Sequence, residues 1–530
     1  MRSKLLFLAL TTALLPALLF ATGKIRGKVV DAGSGEPLVG ANVVIVGTSM
    51  GAATNVSGEF TVLNVPAGTY TLKTSYVGYQ TITLSNIRVN NDLTTEANFQ
   101  LPAEGVTVGT VEIVAERPMV NKSATNAVRI VDQDFFQKVP ARGINTAIDV
   151  QPGVVDQGRN ANNGSANIFI RGGRPDEVGF RVEGVGVNDM LFGGRAVSVT
   201  AEAVEQIQVQ AGGFNAEYGG ANAGIIQTQL RTGSADRWTF SVLGESDRFT
   251  GMNNNKLGGW SYGYSDYTAT FGGPFPGLGN KLRVFGSVQN TFYRDPTVSV
   301  RSGFNFSGAN AIVTDPTTSQ YHPLNTNPRG SWDTQALPDT LNIVFPGGNA
   351  LGGGDNRWVF SGTALLDLSP VQLRLSGSYS PDRAQGTTVF ANTFNQSRLP
   401  LTVTKDGFLN ARLSHVLSPT IFYEVSFNFF SNSYVTEDPQ LLGNVFSYGD
   451  PVANAALGYN LRVISGQSAN WPAWPLWGGG TFNINEPGTQ VAGYDQRSQK
   501  GFGGKADLTA QLKSHELKFG GEYTQYVIRR

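Results

Sequence analysis

Apolar and polar residues alternate with a period of two in several stretches of the second half of the chain. The clearest are KLRVFGSVQNTFYRD (281–295), VQLRLSGSYS (371–380) and IFYEVSFNFFSNSY (421–434). In the second stretch, Leu373 and Leu375 share one face, whereas Arg374 and Ser376 share the other. Alternation over about ten residues is typical of a strand with one face in lipid and the other in a polar lumen.

The connections between these strands alternate between short and long. Tight turns are predicted at Pro276–Asn280, Leu368–Pro370, Leu417–Thr420 and Lys513–Glu516, and long polar stretches at 295–356, 383–405 and 435–500. Outer-membrane β-barrels combine short turns at one end with long loops at the other. A soluble β-sandwich is the alternative, but it leaves the long loop at every second connection unexplained.

Nine strands are predicted in this region, near 237–247, 263–275, 281–294, 357–367, 371–382, 406–416, 421–434, 501–512 and 517–530. Single-chain bacterial barrels have an even number of strands, and an open sheet edge would leave backbone groups unsatisfied in lipid. We therefore expect residues 237–530 to be the N-terminal part of an antiparallel transmembrane β-barrel, incomplete in this chain.

Two further regions precede these strands. In residues 23–101, short apolar strands such as Lys24–Val30 and Ala41–Val46 are separated by turn residues at a spacing of about 8–12, which predicts a small β-sandwich. In residues 106–233, strands mix with glycine-rich turns and with a helical stretch between Asp132 and Val150, which predicts a compact α+β domain. The fold class is therefore mainly β.

The composition narrows the chemistry. The 530 residues include no cysteine, three histidines, and 40 acidic and 40 basic residues, so disulfides and thiolate metal sites are excluded and nucleic acid is not expected as a partner. His322, His415 and His515 are scattered over a loop, a strand and a turn. We expect no catalytic residues, no metal site, no cofactor and no enzymatic activity.

The first 21 residues have the pattern of a secretory signal peptide. A short basic start, Met1–Lys4, is followed by a mostly apolar stretch to Phe20 and by the small residue Ala21. The apolar stretch is short for a spanning helix, so a membrane anchor is the weaker alternative. The mature protein is predicted to be exported.

Two families share motifs with this chain. The opening GKIRGKVVDAGSGEPLVGANVVIVGT and the later YVGY resemble the carboxypeptidase regulatory-like domain, which is a transthyretin-like sandwich. The segment 106–233 resembles the plug of TonB-dependent outer-membrane receptors. The motif residues are Arg171, Gly172, Gly173, Glu183, Gly184, Tyr218, Gly219 and Gly220. Glu183 stands where the family usually has Asp, and Gln208 where it has Glu, which puts some ion pairs between plug and barrel in doubt.

The resemblance implies a plug inside a barrel of about 22 strands in the full protein. Two hairpin turns are expected in the plug, at Arg171–Gly173 and at Glu183–Gly184. Arg171, Arg174 and Arg181, with Asp176, Glu177 and Glu183, are candidates for pairing with charges on the lumen wall; solvated surface charge is the alternative.

The segment before the plug matches the TonB box in position and character. It comprises Thr110, Val111, Glu112, Ile113, Val114 and Ala115. An extended apolar segment can add a strand to the periplasmic protein TonB, which transmits a pull powered by the inner-membrane proton gradient. The alternative is that these residues form the first strand of the plug.

The implied function is TonB-dependent import of a large or scarce nutrient across the bacterial outer membrane, with plug and sandwich on the periplasmic side. The alternative is a plugged barrel that serves as a surface anchor, adhesin or complex component. The partners would be TonB with its motor complex, outer-membrane lipids and a nutrient. The N-terminal sandwich is typical of Bacteroidetes-type receptors, so a surface lipoprotein is one further option. The loop residues Trp471, Trp474 and Trp477 are candidates for ligand contact; membrane-interface or packing roles are the alternatives.

Overall fold

The computed structural model describes residues 23–90, 93–103, 111–114, 128–138, 143–159, 166–214, 217–247, 261, 263–294, 300–301, 304–306, 343–345, 348–349, 353–386, 396–418, 420–448, 450–457, 493–512 and 515–530. The predicted signal peptide, His322, and Trp471, Trp474 and Trp477 lie outside these residues, as do Thr110 and Ala115. In the described part of the chain, no helix has the length and apolar character needed to cross a membrane.

The first region folds into a two-sheet sandwich. Its strands are β1 (Gly23–Asp31), β2 (Asn42–Ile45), β3 (Gly51–Ala53), β4 (Glu59–Val65), β5 (Gly68–Ser75), β6 (Ile82–Val89), β7 (Thr94–Glu96), β8 (Phe99–Leu101) and β9 (Val111–Val114). One sheet contains β4, β1, β7 and β8, and the other has the order β3-β2-β5-β6-β9. Alternate residues of β1, among them Ile25 and Val29, are fully buried against Phe60, Leu72 and Phe99, which explains the predicted sandwich.

The second region is an α+β unit. Its elements are β10 (Val128–Asp132), α1 (Gln133–Lys138), α2 (Gly143–Asp149), β11 (Val154–Arg159), β12 (Ala166–Ile170), β13 (Val178–Val182), β14 (Val185–Gly186), β15 (Val204–Gln210) and β16 (Gly224–Leu230). The central sheet has the order β10-β15-β16-β13-β14, while β11 and β12 form a separate pair. Every residue of β13 and β16 is buried, so this sheet is enclosed on both faces.

The third region is one antiparallel sheet of nine strands within the described residues. They are β17 (Thr239–Ser246), β18 (Ser265–Phe275), β19 (Gly279–Tyr293), β24 (Asp355–Leu368), β25 (Val371–Gln385), β26 (Leu401–Ser418), β27 (Ile421–Glu437), β28 (Asp495–Leu512) and β29 (His515–Arg529), paired in that order. The short pairs β20 (Val300–Arg301) with β23 (Gly348–Asn349) and β21 (Phe304–Phe306) with β22 (Ile343–Phe345) precede β24, and α3 (Pro451–Ala456) precedes β28. The nine predicted strands are confirmed.

The two faces of this sheet have the predicted character. On β25, Gln372, Arg374 and Ser376 are buried, whereas Leu375 and Tyr379 are exposed. The polar face is buried because it surrounds the plug, whose hydrophobic core also includes the wall residues Phe285, Phe408 and Phe430. A polar face turned inward and an apolar face turned outward is the reverse of a water-soluble sheet, and it is the arrangement of a barrel wall in lipid.

Candidate functional site

The Arg171–Gly173 motif is a turn between two sheets. Arg171 and Gly172 have φ angles of 50° and 80°, and the Arg171 amide donates to the Gly153 carbonyl at 2.7 Å. The turn connects β12, which pairs with β11, to β13, which pairs with β14 and β16. The expectation of a hairpin at this motif is therefore wrong, because the strands before and after it belong to different sheets.

Gly173 is required by close packing. A Cβ atom placed there would lie 2.3 Å from the Ala223 Cβ and 3.2 Å from the Ile170 carbonyl oxygen. Real Cβ atoms essentially never come within 3.0 Å of another atom, so the approach to Ala223 would force a shift. Overpacking of this kind typically costs about 1–3 kcal/mol. Ile170 is the last residue of β12 and Ala223 directly precedes β16, so the motif packs two plug segments together.

We predict that Gly173→Val destabilises the plug by about 3 kcal/mol because the larger side chain cannot be accommodated beside Ala223. The matched control is Gly186→Ala, since a Cβ at Gly186 would meet no atom within 4 Å. The measurement is the urea concentration at which trypsin cleaves the plug of the purified receptor. Equal midpoints for the two variants would contradict the packing argument.

The Glu183–Gly184 motif is the hairpin turn that was predicted. Glu183 and Gly184 have φ angles of 52° and 80° and connect β13 to β14. Two positive φ angles in succession are typical of the type I′ hairpin turn, which favours Asn or Asp followed by glycine. Glu183 is an unusual residue in this conformation, and its side-chain contacts supply a reason for its presence.

The Glu183 carboxylate is buried against the wall of the barrel sheet. It accepts hydrogen bonds from Arg374 Nε at 2.7 Å and Nη2 at 3.0 Å, and from the Leu230 amide at 2.7 Å. The Glu183 carbonyl oxygen accepts from Arg412 Nη2 at 2.7 Å. Burial raises the pKa of Glu183, but the guanidinium groups of Arg374 and Arg412 outweigh it and leave the pKa below its ordinary value. Glu183 is therefore held as a carboxylate that joins plug and wall.

A second charged contact joins the plug to the last strands of the sheet. Arg181 pairs with Glu522 at 2.9 Å, and Glu217 pairs with Lys518 at 2.8 Å and Lys505 at 3.4 Å. Lys505, Lys518 and Glu522 lie on β28 and β29, so these pairs fix one side of the plug against two neighbouring strands.

The Tyr218–Gly220 motif lies under this contact. The Tyr218 ring is 5.4 Å from the Arg181 guanidinium carbon, and its hydroxyl donates to Gln227 Oε1 at 2.8 Å. The Tyr218 ring thus packs against the Arg181 guanidinium, at a distance suited to a cation–π contact. The motif contributes packing beneath an ion pair.

Only part of the predicted set of charges contacts the wall. Arg181 and Glu183 do so, whereas Arg174 pairs with its neighbours Asp176 and Glu177, both at 3.5 Å. The Arg174 side chain is 72% exposed, so its ion pairs contribute little to stability. For Arg174, the alternative of solvated surface charge is the correct one.

Many other contacts between wall and plug join a side chain to a main-chain group, and these were not foreseen from the sequence. Asp406 accepts from the Ser198 amide at 2.7 Å, Ser378 donates to the Ser198 carbonyl at 2.8 Å, and Thr363 donates to the Arg231 carbonyl at 2.6 Å. The polar face of each strand indicated that such donors and acceptors would be available. The pairing itself has no sequence signal, because the partners are far apart in the chain.

A cavity of about 760 Å³ lies between the plug and β29. Its lining includes Arg181, Asp189, Phe192, Glu522 and Tyr526, which combine charged and aromatic groups. A ligand with both polar and apolar parts would find partners there. In the part of the chain that the structure describes, no cluster of histidine, aspartate and glutamate is arranged to hold a metal ion.

The sandwich contacts the short-turn end of the barrel sheet. Ser49 donates to Asp367 at 2.9 Å and Asn280 donates to the Gly47 carbonyl at 3.2 Å, next to two of the turns. Lys24 donates to Gln511 at 3.1 Å and also pairs with Glu516, at a third turn. These contacts place the sandwich across the end of the sheet, and the sequence did not indicate them.

Arg88 joins the sandwich to the plug. It lies on β6 and pairs with Glu205 of β15 at 2.9 Å, while it also donates to the Glu205 carbonyl at 3.0 Å. Burial raises the pKa of Glu205, and the Arg88 guanidinium opposes that effect. Both side chains are largely buried, so the contact is a specific one between two domains.

The predicted TonB-box segment forms a strand on the sandwich. Within β9, Val111 to Val114 pair in parallel with Ile82 to Ser85 of β6. The alternative that these residues are the first strand of the plug is wrong, since the described part of the plug sheet starts at β10 and does not include β9. The segment is thus an edge strand of the sheet β3-β2-β5-β6-β9.

A sandwich, a plug and a nine-stranded antiparallel sheet with an apolar outer face are together typical of plugged outer-membrane receptors. A family model for the CarboxypepD_reg-like domain matches residues 25–113, and the model for the TonB-dependent Receptor Plug Domain matches residues 120–225. The chain thus carries the plug domain of TonB-dependent receptors, preceded by a CarboxypepD_reg-like domain and followed by the nine-stranded sheet.

Several known proteins are similar to this chain. The TonB-dependent transporter Oar of Myxococcus xanthus is 28% identical over 302 residues, which cover 51% of this chain and 27% of Oar. A mutant of the ferric enterobactin receptor PfeA from Pseudomonas aeruginosa is 16% identical with a TM-score of 0.43, over 76% of this chain and 49% of that one. The copper transporter OprC is 11% identical with a TM-score of 0.46, over 77% and 47%. The chain thus spans about a quarter of the length of Oar and about half of the length of these two solved structures.

Proposed function

We propose that this chain is part of a TonB-dependent importer that carries a nutrient across the outer membrane, with the sandwich and the TonB box on the periplasmic side. The observation that carries the proposal is the position of the plug, which lies against the polar face of the sheet and is held there by side-chain contacts. Passage of a large molecule along that face requires the plug to move. Import therefore requires a force that moves the plug.

The contacts between plug and wall suit a plug that is stable yet movable. In the contacts described above, side chains of the wall strands bind main-chain groups or side chains of the plug. Among the described residues, no strand of the central plug sheet pairs with a strand of the wall. Single hydrogen bonds contribute about 0.5–1.5 kcal/mol each, so they can break and re-form in turn. The strongest local contact is the buried group around Glu183, which is expected to open last.

The TonB box supplies the point of attachment for the pull. TonB would bind Thr110–Ala115 by strand addition, in which main-chain hydrogen bonds provide the affinity. Residues 116–127 connect the box to β10, which is the first strand in the order of the plug sheet and pairs there with β15. A pull on the box is thus transmitted along the chain to the plug sheet.

Similarity to TonB-dependent receptors does not name the cargo. PfeA receives ferric enterobactin and OprC transports copper, so similar receptors serve different nutrients. We propose a cargo that is too large or too scarce for simple diffusion, which leaves siderophores, vitamins, oligosaccharides and peptides as classes to test. A surface lipoprotein partner would be expected for an oligosaccharide or peptide.

Growth on single limiting nutrients tests the proposal. A strain that lacks the receptor is grown on media limited in turn for iron, vitamin, oligosaccharide and peptide, beside a strain that lacks TonB. We expect the receptor-deleted strain to fail on one medium, and the TonB-deleted strain to fail on the same one. Unimpaired growth on all media, together with a loss of surface adhesion, would contradict import and favour the anchor or adhesin.

A further inference from the structure

The strand β6 of the sandwich contacts both the TonB-box strand and the plug. At its N-terminal end, Ile82 to Ser85 pair with β9, and near its C-terminal end Arg88 binds Glu205 of the plug. One short strand therefore lies between the segment that TonB would hold and the domain that the pull would move. This position suggests that the sandwich has a role in transmission of the pull.

We propose that the ladder between β6 and β9 is a latch that must open before a pull on the TonB box reaches the plug. The proposal rests on the proposed function, because it assumes that TonB pulls on this segment. In the resting receptor the box is docked on the sandwich. When TonB pulls, β9 leaves β6, and only then does the chain between the box and β10 come under tension.

The contacts that bear the load depend on where each part of the receptor is fixed. A strand that is paired with a neighbour passes an applied load to that neighbour until the ladder between them breaks. The neighbour here belongs to a sandwich that contacts three turns of the wall through Ser49, Gly47 and Lys24 and contacts the plug through Arg88. While the ladder is closed, the load is spread over these anchors, and little of it acts on β10.

The geometry makes the ladder the first contact to open. It comprises four residue pairs, it is parallel, and β9 is at the end of the sheet order. Parallel pairing is slightly less stable per residue than antiparallel pairing, and an edge strand has a neighbour on one side only. The other neighbour of β6 is β5, which it pairs with in antiparallel fashion through six registered pairs. The pull should therefore separate β9 from β6 and leave the sandwich folded.

A disulfide staple across the ladder tests the latch. Thr83 and Glu112 are registered partners, and neighbouring strands lie about 4.8 Å apart, within the Cα range that a disulfide can span. The chain has no cysteine of its own, so Thr83→Cys with Glu112→Cys gives one defined pair in the oxidising periplasm. A second staple, Ser85→Cys with Val114→Cys, joins the next pair on the same face.

We expect both staples to block import when oxidised. The readout is growth in the medium on which the receptor-deleted strain fails. If nine tenths of the receptors are stapled, about one tenth remain competent, so growth supported by import should fall about tenfold and return when a reductant is added. Recovery on reduction shows that the variants fold and insert.

The matched control joins β6 to its other neighbour. Lys73→Cys with Thr83→Cys staples β5 to β6 at a registered pair and leaves β9 free to move. This control should grow like the parent in both redox states. Stapled β6–β9 receptors that support parental growth while oxidised would overturn the latch.

The latch and the proposed function can fail separately. A receptor in which the box is replaced by a flexible linker tests the function alone, because it lacks the segment that TonB would hold. If that receptor imports normally, the proposed function fails. If it does not import, while the oxidised staples import normally, the function stands and the latch is wrong.

Discussion

Replacing Glu183 by alanine is expected to lower the stability of the plug in its barrel by about 3–5 kcal/mol. The variant removes one member of a buried charged group and leaves Arg374 and Arg412 without their carboxylate, which is the costly way to break a buried ion pair. It also removes the acceptor of the Leu230 amide. An unsatisfied buried donor adds to the loss.

The measurement is again the urea concentration at which trypsin cleaves the plug of the purified receptor. Asp176→Ala is the matched control, since Asp176 is in the same domain but pairs with Arg174 at 3.5 Å on the exposed surface. Exposed pairs contribute about 0–1 kcal/mol, so the control should leave the midpoint nearly unchanged. A Glu183→Ala midpoint equal to that of Asp176→Ala would show that this group does not hold the plug.

The barrel sheet could be predicted from the sequence because its two faces meet different surroundings. Lipid on one face and a polar plug on the other impose an alternation that continues for the length of each strand, as between Gln372 and Tyr379. The four tight turns then predict four of the pairings, β18 with β19, β24 with β25, β26 with β27 and β28 with β29, since strands joined by a tight turn pair with each other. The hairpin at Glu183–Gly184 was predictable for a similar local reason, because the turn is encoded by two adjacent residues.

The contacts between domains could not be predicted. Glu183 and Arg374 are 191 positions apart, and Arg88 and Glu205 are in different domains. Charges of this kind are common on every surface, and nothing in the local pattern selects one partner over another. The turn at Arg171–Gly173 was wrongly expected to close a hairpin because glycine-rich turns look alike in the sequence whether or not the flanking strands pair.

For the TonB-box segment, the strand could be predicted from the sequence, but its partner could not. Its apolar, extended character predicted a strand, and β9 is a strand. Its partner is the sandwich, which the sequence did not indicate, because any exposed sheet edge can accept an added strand. The role of Thr110–Ala115 as the point where TonB attaches stays a prediction.

Replacing Thr110–Ala115 by six glycine and serine residues is expected to abolish import. Such a linker keeps the length of the chain but has a low propensity to form a strand, so TonB would have no segment to pair with. The control carries glycine at Val56 and Val77, which are 81% and 93% exposed on the sandwich, and it should import normally. Immunoblots of outer-membrane fractions confirm that both variants are present at the parental level.

Growth in the medium on which the receptor-deleted strain fails is the decisive test of import driven through Thr110–Ala115. The linker variant should grow no better than the receptor-deleted strain, while the Val56 and Val77 control should grow like the parent. If the linker variant grows like the parent, import is not driven through this segment.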